Sequence, residues 1–309
     1  MGLLLESFDE ALELGRYLVM PLTRPLAVAS GESTRRADEP KVRIDVPFSA
    51  WDTFASAALR AMRAGRHFTN DRSPKWNDAR YMDVEGDVAE ASSVYLLYAI
   101  DCVLTKYLPV GMFRVLSQHT VYGNTFSVRA DRIWGLGNPN TLDLHAYFAI
   151  LDFKRPTLID PDDFGTVFTW NEFNARDPLE YLEPSFKNNS QILLKQAVSY
   201  SSHYGTKYIA FFDWHTLVLV VLVDTDLADT ELKMGGEYCL VTIVTDRTQM
   251  MRALLGFLIK AYHAQMATVE DYTDIVGSVD SEQTAPSKGK GSTAGFGRSG
   301  GESSRHRRR

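Results

Sequence analysis

The stretch Ile150-Leu151-Asp152-Phe153-Lys154-Arg155-Pro156 decides how this chain is read. It closes the run LDLHAYFAILDFKRP, over 142–156, which reads as a mostly apolar strand. Successive strand residues point to opposite faces, so Asp152 and Lys154 project together. Pro156 cannot donate to a ladder and ends the pairing. A carboxylate and an ammonium group side by side at the end of an apolar strand suit metal-assisted hydrolysis. The carboxylate holds a hard cation such as Mg²⁺ through oxygen, and the ammonium orients water and offsets developing phosphate charge.

One carboxylate holds Mg²⁺ poorly, so a second is needed. Asp131 lies on the preceding run, TFSVRADRIWGL over 125–136, and GNPN marks a turn between the two. A hairpin closed there sets Asp131 beside Asp152. Downstream, QILLKQAVSYSSHYG reads as a helix stopped by Gly205. Gln196 and Tyr200 are four apart on it and share a face. Taken alone, Asp152 and Lys154 read as a surface salt bridge, and Asp131 as a partner of Arg129 or Arg132. The apolar residues ahead of Asp152 argue against full exposure.

Working outward, Leu5, Phe8, Leu12 and Tyr17 predict a short helix over 5–20, and 24–43 reads as a linker or arm. A second helix opens at Ser49, with Asp52 in its first turn as a capping partner. A polar loop follows, in which Trp76 beside Arg72, Lys75 and Arg80 offers a surface for base stacking or simply packs. A long helix is expected over about 84–107, with Val88, Ala91, Tyr95, Tyr98 and Cys102 on one face. The segment 157–190 is acidic, with seven Asp/Glu against Arg176 and Lys187. The strands KYIAFFDW, HTLVLVVLV and EYCLVTIVT and the helix TQMMRALLGFLIKAYHAQ complete the series. The expected fold is α/β, a central mixed sheet flanked by helices over 44–270. A helix and arm (1–43) precede it, and a disordered Gly/Ser/Arg-rich tail (271–309) follows.

The chain has 309 residues, 45% of them hydrophobic, which is enough for a sizeable core. Its two cysteines, Cys102 and Cys239, cannot make a disulfide framework or a zinc knuckle. The N-terminal run lacks a basic region ahead of its apolar residues, and Tyr208 to Val223 is too short and polar to span a bilayer. An intracellular protein is expected, in nucleus or cytoplasm, with no membrane partner. Net charge is −6. From Ser281 on, seven Lys/Arg outnumber two Glu, a surplus of five, so the preceding residues carry −11. That bulk charge disfavours DNA and fits a protein partner better. No P-loop, GxGxxG, kinase signature or GxSxG is present.

The ordered set Asp131, then Asp152-Phe153-Lys154, then Gln196-x-x-x-Tyr200 resembles the PD-(D/E)XK nuclease superfamily, in its Q-x-x-x-Y branch. That branch includes RecB-like nucleases, type I restriction subunits and nuclease-like domains of fungal proteins. The resemblance covers roughly 85–225 and implies a restriction-endonuclease-like fold and Mg²⁺- or Mn²⁺-dependent hydrolysis of phosphodiester bonds in DNA. It implies Asp131, Asp152 and the Phe153 carbonyl as metal ligands, and Lys154 as the catalytic lysine. Gln196 and Tyr200 would orient that lysine or the phosphate. The family adds a helix Glu, for which Glu85, Asp87 and Glu90 are candidates and Glu90 is favoured. The family's Pro-Asp is here Ala130-Asp131. The alternative is a catalytically inactive module of the same fold that binds protein or nucleic acid.

Overall fold

A computed structural model of the chain describes residues 4–7, 37–65, 72–75, 82–108, 113–122, 127–137, 144–165, 167–169, 172, 186–223 and 238–267. The elements are β1 (Leu4–Ser7), β2 (Val42–Asp45), α1 (Phe48–Ala64), β3 (Arg72–Lys75), α2 (Glu85–Tyr107), β4 (Phe113–Tyr122), β5 (Ser127–Gly137) and β6 (Leu144–Phe153). After a 3₁₀ turn at Pro161–Phe164 come β7 (Val167–Phe168), α3 (Asn188–Tyr204), β8 (Tyr208–Phe212), β9 (Leu217–Leu222), β10 (Tyr238–Val244) and α4 (Arg247–Met266). β1 and β3 form a separate antiparallel ribbon.

The main sheet runs β4-β5-β6-β8-β9-β10-β2-β7 and is mixed. The β6–β8, β10–β2 and β2–β7 pairs are parallel and the others antiparallel. Helices cover both faces, which explains why β8 and β9 read as unbroken apolar runs: every residue of each is buried. Ile209, Phe211, Val218 and Val220 face α3, against Leu193, Leu194, Ala197 and Val198. Ala210, Phe212, Leu219 and Val221 face the other layer, with Trp51 of α1, Leu96 and Ile100 of α2, and Leu254 and Phe257 of α4. The chain is an α/β fold with a central mixed sheet, as its sequence predicts.

α2 is the one helix among the described residues long and apolar enough to cross a membrane, and half of its most apolar window is buried. Asp101, in its C-terminal third, accepts hydrogen bonds from Arg132 and from Trp134 Nε1. It is a core helix with a π turn at Ser93–Leu97.

Three expectations need correction. Leu4–Ser7 is a strand, where the apolar spacing predicts a helix over 5–20; pairing with Arg72–Lys75 overrides it. Residues 8–20 lie outside the described residues. The last two residues of the expected linker, Val42 and Arg43, begin an interior strand, Val42–Asp45, between β10 and β7, too short for its alternation to stand out. Just before it, Ala37 is buried on the α3 side and Glu39 binds Gln191 and Lys195 of α3. Asp52 does not cap α1, which starts after Pro47 without a side-chain cap; Asp52 pairs with Arg252 of α4 instead. β4 is an addition, a half-exposed strand with no clear period in its sequence.

Candidate active site

β6 and β8 run parallel, with Asp152 beside Phe211 and Phe153 beside Phe212. The Lys154 N–H donates to the Phe212 carbonyl (2.9 Å), so the backbone is still held where the site begins. Asp152 and Lys154 share the α3 face, as a two-residue spacing requires. Both are buried, at 4% and 8% exposure, and their side chains form an ion pair. The pair is therefore not the surface salt bridge that the residues alone allow. The Lys154 ammonium also lies 5.7 Å from the centre of the Phe211 ring.

α3 supplies the support. Lys154 Nζ donates to Gln196 Oε1 (2.9 Å), Gln196 Nε2 donates to the Tyr200 hydroxyl (2.8 Å), and Tyr200 donates to the Arg129 carbonyl (3.1 Å). The relay runs from the end of β6 through one helix turn to the backbone of β5. Tyr200 is 2% exposed. Burial, reinforced by the negative charge of Asp152 and Asp131, keeps its hydroxyl protonated well above the usual tyrosine range.

Asp131 arrives from β5. The β5–β6 ladder pairs Arg132 with Leu151, and one step further Asp131 meets the end of β6. Its Oδ2 accepts the Phe153 N–H at 2.9 Å. Burial pushes the Asp131 carboxyl up to about 7, helped by repulsion from Asp152 and opposed by the Phe153 bond. Since the Lys154 N–H goes to β8, the Phe153 N–H and C=O both turn to the Asp131 side. Arg132 is not the partner of Asp131; it pairs with Asp101.

Of the three candidate helix acids, Glu85 is the one that lies beside Asp152 and Lys154. Glu85 opens α2 and is half-buried; burial raises its carboxyl pKa, and it feels the charges of Lys154, Asp152 and Arg129. Glu90 is exposed and sits five residues on, about 140° round the helix. Asp87 caps its own helix, accepting the N–H groups of Asp83 and Val84. The signal was present in the sequence: Glu85 lies three residues before Val88, on the same stripe that buries Val88 and Ala91.

Among the described residues no three His, Cys, Asp or Glu side chains are grouped so as to hold a metal ion. A pair of carboxylates could seat a hard divalent ion only with water and phosphate oxygens completing its shell. Two carboxylates adjoin, a third is close by, and Asp152 Oδ2 is buried with no well-formed hydrogen bond beside its contact with Lys154. Mg²⁺ is typically held by one or two carboxylates, with waters and substrate phosphate filling its octahedron. Asp131, Asp152 and the Phe153 carbonyl are the groups that would hold it, with Glu85 near.

Other polar groups belong to the fold. Asp213 is fully buried and accepts the N–H groups of Ile159, His215 and Thr216, closing the turn between β8 and β9. His215 adjoins Arg247, and His203 Nδ1 meets the Ser199 carbonyl. Trp76, residues 173–185 of the acidic segment and the tail beyond 267 lie outside the described residues. No protein-family model, curated protein or solved structure matches this chain.

Proposed function

We propose that this protein is a metal-dependent phosphodiester hydrolase acting on DNA inside the cell, in nucleus or cytoplasm, built on a PD-(D/E)XK-type site. The observation that carries the reading is the buried constellation itself. Asp131, Asp152 and Lys154 converge at the end of β6, and Gln196 and Tyr200 fix the lysine from α3. Burying charge of this kind costs stability, and such groups cluster at functional sites.

Bound Mg²⁺ or Mn²⁺ would supply Lewis-acid polarisation of the scissile phosphate. Asp131 and Asp152 provide the negative seat. Lys154 orients the attacking water and offsets charge on the phosphoryl oxygens. Gln196 keeps the ammonium pointed at the site, and Tyr200 keeps Gln196 from turning away. The test is Mg²⁺-dependent cleavage of plasmid and linear DNA by the full chain, against Asp152→Ala and Lys154→Ala, with circular dichroism as the fold control. Both variants are expected to lose cleavage with the fold intact. Residual activity equal to wild type would end the proposal.

A second reading is a module of this fold that binds a protein partner and does not cut. The charge of −11 outside the tail favours it. Calorimetric titration with Mg²⁺ separates the two. Wild type takes up the ion and Asp131→Ala does not if the site is a hydrolase; no uptake by either favours the module.

A further inference from the structure

Two arginines stand at the acid site without being part of it. Arg129 is exposed on β5, two residues before Asp131, and its charge is felt by Glu85. Its backbone is fixed, because its carbonyl accepts the Tyr200 hydroxyl. Arg155 is exposed immediately after Lys154, and its Nη2 reaches the Asp83 carbonyl at 3.5 Å, beside the start of α2 and Glu85. Both guanidinium groups thus come, from two different strand ends, to the start of α2 where Glu85 stands. Among the described residues neither guanidinium makes a salt bridge closer than 4 Å.

The charges can be counted. Glu85, Asp131 and Asp152 carry three negatives when ionised, and Lys154, Arg129 and Arg155 carry three positives. Fully ionised, the site is balanced; the proton that Asp131 keeps below about pH 7 leaves it one positive charge in excess. A divalent cation seated on the carboxylates leaves two positive charges in excess, both on the exposed rim. That surplus favours an anion at the rim. Guanidinium groups suit phosphate oxygens because their donors are arranged as a planar fork.

We infer that Arg129 and Arg155 form a phosphodiester-binding rim that grips the backbone beside the bond to be cut, and that a cation in the acid site strengthens this grip. The inference rests on the hydrolase reading and names what its substrate must present: a continuous polyanionic strand, not one isolated phosphate. The two ligands are positively coupled, each raising the affinity for the other by the same factor. Gripping close to the chemistry also gives a protein of negative bulk charge a local route to nucleic acid.

The test measures binding by the full chain to 5′-fluorescent single- and double-stranded oligonucleotides, by anisotropy across a salt series. Ca²⁺ replaces Mg²⁺ so that cleavage does not interfere, and EDTA gives the cation-free arm. Wild type is expected to bind more tightly with Ca²⁺ than with EDTA. Arg129→Gln and Arg155→Gln should each lower the salt slope by about 0.7 on single strands or 0.9 on duplex, and weaken binding about five- to eightfold at 0.1 M salt. Arg60→Gln, an equal charge change at an exposed position on α1, should do neither. Basic residues of the tail contribute equally to every variant.

Wild-type slopes in both rim variants, or an equal loss in Arg60→Gln, overturns the inference. So does full displacement of the oligonucleotide by equimolar inorganic phosphate, which would make the rim a single-phosphate site. Failure of the two readings looks different. If wild type cuts DNA and the rim variants bind and cut as well as it does, only the rim is wrong. If wild type neither takes up a cation nor cuts, the hydrolase reading falls and the coupling falls with it.

Discussion

The Asp131 carboxylate closes the end of β6 by accepting the Phe153 N–H at 2.9 Å, so one side chain both terminates a strand and faces Asp152. This has a consequence for stability. Burial and Asp152 raise the Asp131 carboxyl from 3.8 to about 7. Between about pH 4 and 7 the folded, metal-free chain therefore keeps a proton that the unfolded chain has lost. The stabilisation from this group is full below pH 4 and is lost as pH rises toward 7. The slope across that window is at most about 1.4 kcal/mol per pH unit. Asp131→Asn removes it while leaving an oxygen to accept the Phe153 bond. In urea denaturation with EDTA, the variant should gain on wild type as pH goes from 5 to 8. Parallel pH profiles for the two proteins would contradict the assignment.

Glu85 and Glu90 give a direct contrast on one helix. Glu85→Gln takes a charge away from beside Asp152 and Lys154, whereas Glu90→Gln alters an exposed position. Mg²⁺ affinity by calorimetry should fall about 10- to 100-fold in the first, the range seen when groups supporting a metal site are lost. The second should match wild type. A larger effect at Glu90 would restore the reading from sequence spacing.

The Lys154–Gln196–Tyr200 relay predicts separable effects. Tyr200→Phe leaves the Arg129 carbonyl and Gln196 Nε2 without their partner in a buried place, a loss of about 1–3 kcal/mol of stability. Gln196→Ala frees the Lys154 ammonium, so its cost should fall on kcat with KM little changed. Steady-state cleavage kinetics on an oligonucleotide check this. A rise in KM with kcat intact would mean that Gln196 contacts substrate instead of holding the lysine.

The parts of the site on regular elements were legible in the sequence. A two-residue spacing on β6 put Asp152 and Lys154 on one face, a four-residue spacing on α3 paired Gln196 with Tyr200, and the hairpin brought up Asp131. The long helix, α3, β8, β9, β10 and α4 were legible because their periods are clean and long. What was missed lacks a period. β2 is four residues, β4 is half-exposed, and the phase of α2 at its first turn is decided by a handful of residues, so spacing alone points to Glu90 as readily as to Glu85. Arg129 and Arg155 show no pattern at all. Their placement arises from two strand ends and a helix start meeting in space, which no local spacing encodes.

The scaffold behind the site rests on a close helix crossing. Gly256 of α4 packs on α1 so tightly that a Cβ there would come to 1.9 Å from the Trp51 carbonyl oxygen and 2.6 Å from its carbon. α1 has little freedom to retreat, since Trp51 Nε1 donates to Thr242 Oγ1 of β10 at 2.6 Å and the Trp51 ring packs edge-on against Phe257. Gly256→Ala sets two effects against each other. Alanine in a helix interior is favoured over glycine by about 1 kcal/mol. Overpacking typically costs about 1–3 kcal/mol, and here the obstacle is backbone, which cannot swing aside as a side chain can. The clash should win. The variant is expected to lose about 1–2 kcal/mol in urea denaturation, with an earlier midpoint and an unchanged slope. Because neither α1 nor α4 contributes a group to the acid site, the folded fraction should still bind Mg²⁺ like wild type. A gain in stability would show that the helices do not cross at Gly256.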